Sequence, residues 1–183
     1  MNLVPALEDL LSGPSRCGKT HLIAIDGRAG AGKTTLANEL ALALGVDRAV
    51  KLIHLDMAYA GWEGSLGQSL TAMLSKLLAD LSRDRATLLP IFNWKEMAFD
   101  SEQVVSPSDL IIMEGVGSAQ AAVRKFATAT IWLDIDPIIG LQRVLDREGT
   151  AIQDQMHKWQ VAEEAHFLAD DTRKKADFIL STL

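Results

Sequence analysis

Several residue types are scarce in this chain of 183 residues, and each shortage excludes a class of protein. The single cysteine, Cys17, cannot form an internal disulfide or a cysteine metal cage. No apolar run approaches the roughly 20 residues of a membrane span, so we expect no membrane partner. Basic residues are outnumbered, with 18 Lys and Arg against 24 Asp and Glu. The resulting net charge of −6 argues against binding to a nucleic-acid polymer, which needs a basic face, but leaves room for a small phosphate ligand.

The composition that remains is that of one globular domain. Apolar residues make up 48 % of the chain and charged residues 23 %, which excludes a disordered or collagenous protein. At roughly 150 residues per domain, residues 1–183 form a single domain. The first nine residues carry two acids where a signal peptide would be basic, so we expect a cytoplasmic protein. The sequence leaves a homodimer open.

Short β-rich runs alternate with amphipathic stretches, which is typical of βαβ units and a mostly parallel sheet. The predicted strands cover residues 21–25, 50–55, 109–113, 130–135 and 178–180. The predicted helices cover residues 3–11, 33–44, 68–82 and 151–169, and another opens at Asp136-Pro137.

A glycine-rich turn joins the first strand to the helix at 33–44. Its sequence, Gly-Arg-Ala-Gly-Ala-Gly-Lys-Thr over 27–34, matches the phosphate-loop pattern G-x-x-x-x-G-K-[ST]. Glycines let successive N–H groups converge on phosphate oxygens, and the helix that follows adds its positive dipole end. Lys33 would bridge the β- and γ-phosphates of ATP, and the Thr34 hydroxyl would bind Mg²⁺. The predicted nucleotide-binding residues are Gly27, Arg28, Ala29, Gly30, Ala31, Gly32, Lys33, Thr34 and Thr35.

The same pattern occurs a second time, over residues 13–20. That match follows a helical stretch and runs into the strand at His21, so it has no strand behind it and no helix ahead of it. We therefore predict one phosphate loop, at 27–34, and a solvated Lys19.

Three later motifs accompany the loop: Leu55-Asp56 after the second strand, Glu114-Gly115 after the third, and Trp132-Leu-Asp-Ile-Asp136 followed by two arginines. With these motifs the chain resembles the uridine kinase-like branch of the phosphate-loop kinases, which also includes phosphoribulokinase-like and nucleoside monophosphate kinase-like enzymes. The resemblance spans most of the chain from about His21 onward. It implies an α/β fold with a parallel five-stranded sheet of order 2-3-1-4-5, flanked by helices, with a small lid.

Two acids end strands on the edge of the sheet where the loop lies. In the resembled kinases an acid at the position of Asp56 takes the proton from the acceptor hydroxyl, a role that suits phosphoryl transfer. Glu114 could hold Mg²⁺ or its waters, because an unpaired buried carboxylate is costly. Asp56 could instead cap a turn and Glu114 could accept loop N–H bonds. The sequence leaves open which acid is the base and which binds the metal.

Arg143 and Arg147 are four residues apart and share one face of a helix. In the resembled family such a pair lies on the lid and screens the charge of the transferring phosphate. The alternative is surface pairing with Asp146 or Glu148.

Aromatic residues outside helical stripes point to an acceptor site. Trp62 lies in a Gly-rich loop, and Phe92, Asn93 and Trp94 follow Pro90. Aromatic faces stack on bases, which favours a nucleoside. Uridine kinases typically carry an Asp near position 93, where this chain has Asn. These aromatics could equally be packing, and Trp159 is predicted to pack in a helical stripe.

The resemblance implies an ATP- and Mg²⁺-dependent kinase acting on a hydroxyl of a small-molecule acceptor, most simply a nucleoside or nucleotide. The alternatives are a kinase for a sugar acid or cofactor precursor and a nucleotide-binding regulatory protein without an acceptor.

Overall fold

The computed structural model describes residues 3–182. Its strands are β1 (His21–Gly27), β2 (Val50–His54), β3 (Thr87–Asn93), β4 (Ala98–Val105), β5 (Leu110–Glu114), β6 (Ala129–Asp134) and β7 (Phe178–Ser181). Its α-helices are α1 (Leu3–Leu11), α2 (Lys33–Leu44), α3 (Gln68–Leu81), α4 (Ala121–Arg124), α5 (Pro137–Glu148) and α6 (Gln153–Asp170). Short 3₁₀ turns cover Leu55–Met57, Thr150–Ile152 and Arg173–Lys175.

Five of the strands form a parallel sheet in the order β2-β5-β1-β6-β7. Counted within this sheet alone, the order is 2-3-1-4-5, so the predicted fold is confirmed. The three central strands β5, β1 and β6 are largely apolar and buried because both of their faces are covered, whereas the edge strands β2 and β7 are partly exposed. Ile23 and Ile25 pack with α1 and α2 on one face, whereas Leu22 and Ala24 pack with α3 and α6 on the other.

The carboxyl ends of the central strands meet at one edge. In the parallel registers Glu114 of β5 lies beside Ile25 of β1 and His54 of β2. The phosphate loop leaves β1 at this edge, and Asp56 follows β2 there. Ligands of open α/β sheets bind outside this edge, so the topology brings the predicted acids next to the loop.

An antiparallel hairpin, formed by β3 and β4, has no counterpart in the predicted elements. Pro90 lies inside β3, and proline argues against a strand in a sequence. In β4 only Val105 is buried, so the strand lacks an apolar alternation.

Most element boundaries lie within one or two residues of the predicted ones, and three differences fall at the carboxyl edge of the sheet. β1 runs on to Gly27, and β5 includes Glu114. β2 ends at His54, because the chain turns there into the 3₁₀ segment that carries Asp56. Within residues 3–182, no helix combines the length and the apolarity that crossing a bilayer requires.

Candidate active site

A cleft of about 750 Å³ opens at the carboxyl edge of the parallel sheet. The phosphate loop forms its floor, the segments after β2 and β5 form one side, and α5 and α6 form the other. The lining residues are Ala29, Gly30, Gly32, Lys33, Thr34, Thr35, Asp56, Tyr59, Trp62, Trp94, Glu114, Val116, Arg143, Val144, Arg147, Glu148, Ile152, Met156 and Trp159.

The phosphate loop adopts a backbone that only glycine accommodates easily. Gly30 and Gly32 have φ angles of 79° and 87°. The helix α2 begins at Lys33, directly after Gly32. Lys33 is largely buried and its Nζ donates to the carbonyl oxygens of Gly27 and Arg28, at 3.0 and 2.9 Å. The loop therefore presents backbone N–H groups, a helix N-terminus and a buried cation to the cleft, an arrangement suited to phosphate.

The second copy of the motif lies elsewhere. Its Gly18-Lys19-Thr20 segment follows α1 and leads into β1 at His21, as the sequence predicts. The Lys19 N–H donates to a carboxylate oxygen of Asp84 at 2.9 Å. This segment contributes no residue to the cleft.

Glu114 connects the loop to the edge strand. Its side chain is buried, and its Oε1 accepts a hydrogen bond from Thr34 Oγ1 at 3.0 Å and lies 2.7 Å from His54 Nδ1. A hydroxyl and a carboxylate thus meet at the floor of the cleft. Oxygen ligands of this kind suit Mg²⁺, which binds one or two protein groups together with phosphates. Residues 3–182 contain no group of three or more His, Cys, Asp or Glu that could hold a metal ion.

Asp56 lies in the 3₁₀ turn after β2 and lines the cleft. Asp56 is exposed at the mouth of the cleft. The atoms of the cleft walls nevertheless crowd its carboxylate and remove part of the water around it. This partial burial raises the pKa of Asp56 above its ordinary value, and the charge of Glu114 raises it further. Lys33 and Arg147 act in the opposite direction. Asp56 is therefore close to the charged groups at the phosphate end of the cleft.

Both predicted lid arginines line the cleft from α5. Arg147 is exposed, and its Nε donates to Glu148 Oε1 at 2.7 Å. The two roles predicted for Arg147, a position at the phosphate site and a surface ion pair, are thus compatible, because the residue lines the cleft and pairs with Glu148 at the same time.

An aromatic wall continues the cleft beyond Asp56; we use this name for Tyr59, Trp62, Trp94 and Trp159. The ring of Trp159 lies 5.1 Å from that of Tyr59 and 6.3 Å from that of Trp62, centroid to centroid. Trp62 in turn lies 5.1 Å from Trp94. Trp94 Nε1 donates to the backbone oxygen of Asp56 at 2.9 Å, so the wall reaches the predicted base.

Two predicted acceptor residues do not line the cleft. Phe92 is buried in the hairpin, with its ring 5.3 Å from that of Trp94 and 5.2 Å from that of Phe99. Asn93 closes the hairpin turn, because its Oδ1 accepts from the N–H groups of Lys95 and Glu96. Phe92 thus packs against Trp94 and Asn93 holds the hairpin turn, and neither side chain lines the cleft.

Three predicted loop residues also fall outside the lining. Gly27 and Ala31 are residues of the loop that are buried and do not line the cleft. The Arg28 side chain turns away from the cleft to Glu163 and Glu164 on α6.

Sequence reasoning missed several residues of the site. Tyr59 is buried, and its hydroxyl donates to the Val116 oxygen at 2.9 Å. Trp159 belongs to the predicted packing stripe, but that stripe forms a wall of the cleft. Asp26 lies behind the cleft and not in its lining: it is fully buried and accepts N–H bonds from Gly27, Gly117 and Ala119, at 2.8 to 2.9 Å. Its position beside the loop was the only available signal.

The comparisons with solved structures agree with this architecture, whereas no family model and no curated protein matches the chain. One similar structure is a possible uridine kinase from Bacillus stearothermophilus, with a TM-score of 0.65 and 23 % identity over 98 % of this chain and 100 % of that chain. Another, from Silicibacter sp. TM1040, is provisionally described as a fructose transport system kinase. It has a TM-score of 0.73 and 20 % identity over 98 % of this chain and 99 % of that chain. At these identities the likeness shows the fold. The chain accordingly shares its fold with these two kinase structures over nearly its whole length, which is the phosphate-loop kinase fold expected from the sequence.

Proposed function

We propose that this protein transfers the γ-phosphoryl group of ATP to a hydroxyl of a small-molecule acceptor. The observation that carries the proposal is the single cleft in which the phosphate loop, Asp56 and the aromatic wall meet. A nucleotide-binding regulator would need the loop but would have no use for an acid beside an aromatic-lined extension of the cleft. The cleft therefore favours the enzyme.

The proposed reaction assigns a task to each charged group. Loop N–H groups and Lys33 bind the phosphates, and Arg143 and Arg147 screen the charge of the transferring group. The acceptor oxygen forms the new bond to the γ-phosphorus as the bond to the bridging oxygen breaks and ADP leaves. Asp56 accepts the acceptor's proton, and its raised pKa brings its proton affinity closer to the task.

Thr34 and Glu114 are the residues that would hold Mg²⁺, because their oxygens already adjoin one another at the floor of the cleft. When bound, Mg²⁺ neutralises charge on the ATP phosphates. This assignment leaves Asp56 as the base, since Glu114 is buried and engaged with Thr34 and His54.

The aromatic wall supports an acceptor with a flat ring, as in a nucleoside. Stacking a base on an aromatic side chain contributes about 1–3 kcal/mol. A sugar is the second candidate, because the structural neighbour from Silicibacter is described as a fructose transport system kinase.

The test is an acceptor panel with labelled ATP and Mg²⁺, covering nucleosides, nucleoside monophosphates, free sugars, sugar acids and vitamin precursors. We expect label transfer to one class, lost in the Lys33→Ala variant and kept in Lys19→Ala. Binding of ATP without acceptor-dependent release of ADP across the panel would favour the regulator instead.

A further inference from the structure

Glu163 is a fully buried acid that the proposed reaction does not use. It lies on the inner face of α6, and none of its side chain is exposed. Acidic side chains are almost never completely buried unless they are paired. Burial raises the pKa of Glu163, so its ionised form carries a cost in the folded protein. We therefore ask which contacts of Glu163 offset the free-energy cost of burying its carboxylate.

The partners of Glu163 both belong to the phosphate loop. Its Oε2 accepts a hydrogen bond from the Ala29 N–H at 3.1 Å. Its Oε1 lies 3.4 Å from Nη1 of Arg28, whose other terminal nitrogen pairs with Glu164. The second and third residues of the loop are thus attached to α6.

The attached segment in turn supports Lys33. The Arg28 carbonyl oxygen accepts from Lys33 Nζ at 2.9 Å, immediately before the Ala29 N–H that Glu163 holds. The loop also abuts the backbone of α5, where a Cβ at Gly140 would lie 2.7 Å from the Ala29 oxygen. The loop is therefore in contact with both α5 and α6.

The same face of α6 reaches the aromatic wall. Trp159 precedes Glu163 by four residues, so their side chains share one side of the helix. Trp159 lines the cleft and touches both Tyr59 and Trp62. The helix α6 thus connects the proposed acceptor site to the phosphate loop, and Glu163 makes the contact with the loop.

We propose that Glu163 is a positioning residue, which fixes the phosphate loop for ATP through the Ala29 N–H and joins it to the helix that lines the acceptor site. The proposal rests on the proposed function only in taking ATP as the ligand of the loop. A purely structural role predicts that nucleotide affinity and stability fall together. A positioning role predicts that they separate, because Arg28 keeps Glu164 as its partner when Glu163 is replaced, so no buried charge is left unpaired.

The test measures the affinity for a non-hydrolysable ATP analogue with Mg²⁺ by calorimetry, and the melting temperature, for four proteins. We expect Glu163→Ala to bind about tenfold more weakly than the wild type, the order expected for a lost hydrogen bond to a charged acceptor. Glu163→Gln keeps an oxygen for the Ala29 N–H and recovers part of the affinity, with a melting temperature at neutral pH no lower than that of the wild type.

Glu164→Gln is the matched control, because Glu164 pairs with Arg28 but not with the Ala29 N–H. We expect it to bind the analogue like the wild type. Unchanged affinity in folded Glu163→Gln and Glu163→Ala overturns the positioning role, as does an equal loss in Glu164→Gln. A wild type that binds no ATP analogue would instead reject the proposed function and this inference with it.

Discussion

The same triplet, Gly-Lys-Thr, occurs twice in this chain, and its surroundings decide what the lysine can do. Lys33 opens a helix and is largely buried beside the loop carbonyls. Lys19 precedes a strand, and the amide of Lys19 is bound to Asp84. We expect Lys33→Ala to weaken ATP binding or transfer by orders of magnitude and Lys19→Ala to leave both nearly intact. Nucleotide titration on the two folded variants checks this, and equal losses would contradict it.

Asp56 allows a sharper test, because the base can be removed with little change of shape. We expect Asp56→Asn to keep its ATP affinity and to lose about 10²–10⁴-fold in kcat, the usual contribution of a general base. The raised pKa of Asp56 also predicts how kcat depends on pH. The base must be ionised to accept a proton. We therefore expect wild-type kcat to fall, as the pH decreases, at a pH higher than the ordinary carboxyl pKa of 3.8.

The measurement is kcat against pH and Mg²⁺ concentration, with the acceptor that the panel identifies. If Asp56 is the base, the small residual kcat of Asp56→Asn does not show the decrease at low pH that the wild type shows. Recovery of transfer at high Mg²⁺ would make Asp56 a metal ligand. A variant with normal kinetics would shift the role to Glu114.

At the scale of elements, the phosphate loop lies directly against the backbone of α5. Gly140 lies within this helix, where alanine is ordinarily better by about 1 kcal/mol. A Cβ there would lie 2.7 Å from the Ala29 carbonyl oxygen, so we expect Gly140→Ala to push α5 away from the loop. Since α5 carries Arg143 and Arg147, the variant should lose both ATP affinity and kcat.

Gly13→Ala is the matched control, because its Cβ would meet only the Leu10 oxygen at 3.4 Å, an ordinary contact. Titration with the ATP analogue and steady-state kinetics compare the two. Wild-type behaviour of Gly140→Ala would show that the loop and α5 adjust independently.

The elements that the sequence predicted are those with a continuous apolar signal. The central strands of the parallel sheet are covered on both faces, and β5 is buried at every position. The β3–β4 hairpin escaped prediction because it pairs only with itself and β4 is exposed along most of its length. The sheet order followed from the resemblance, since no pattern in the strands specifies which neighbours pair.

At the scale of the whole molecule, the site divides into a local part and an assembled part. The phosphate loop, Asp56 and Glu114 lie where strands end, so a reading along the chain finds them. The aromatic wall comes from three separate segments, and only the packing of α6 against them makes Trp159 a lining residue. For the same reason Phe92 and Asn93, which adjoin Trp94 in sequence, belong to the hairpin.

The role of Glu163 could not be predicted from the sequence, because a single acidic residue in a helix does not indicate which residues it contacts in the fold. Its burial nevertheless predicts how the stability of the whole molecule depends on pH. The raised pKa means that the folded state binds a proton more readily than the unfolded state. The free energy of unfolding that Glu163 contributes is therefore fully present below its ordinary pKa of 4.5 and is lost as pH rises through the folded value.

Comparing Glu163→Gln with the wild type isolates this effect, because contributions from other groups, such as the lowered pKa of His21, are common to both proteins. Gln carries no charge at any pH, so the stability of the variant relative to the wild type should be greatest at neutral pH. The difference should shrink as the pH falls toward about 4.5 and Glu163 in the wild type takes up its proton. Each tenfold change in proton affinity between the two states corresponds to about 1.4 kcal/mol. Urea unfolding of both proteins from pH 7 to roughly pH 4.5 measures the difference directly. A constant difference across this range would mean that Arg28 and the Ala29 N–H compensate the buried charge completely, and that keeping Glu163 ionised costs the fold nothing.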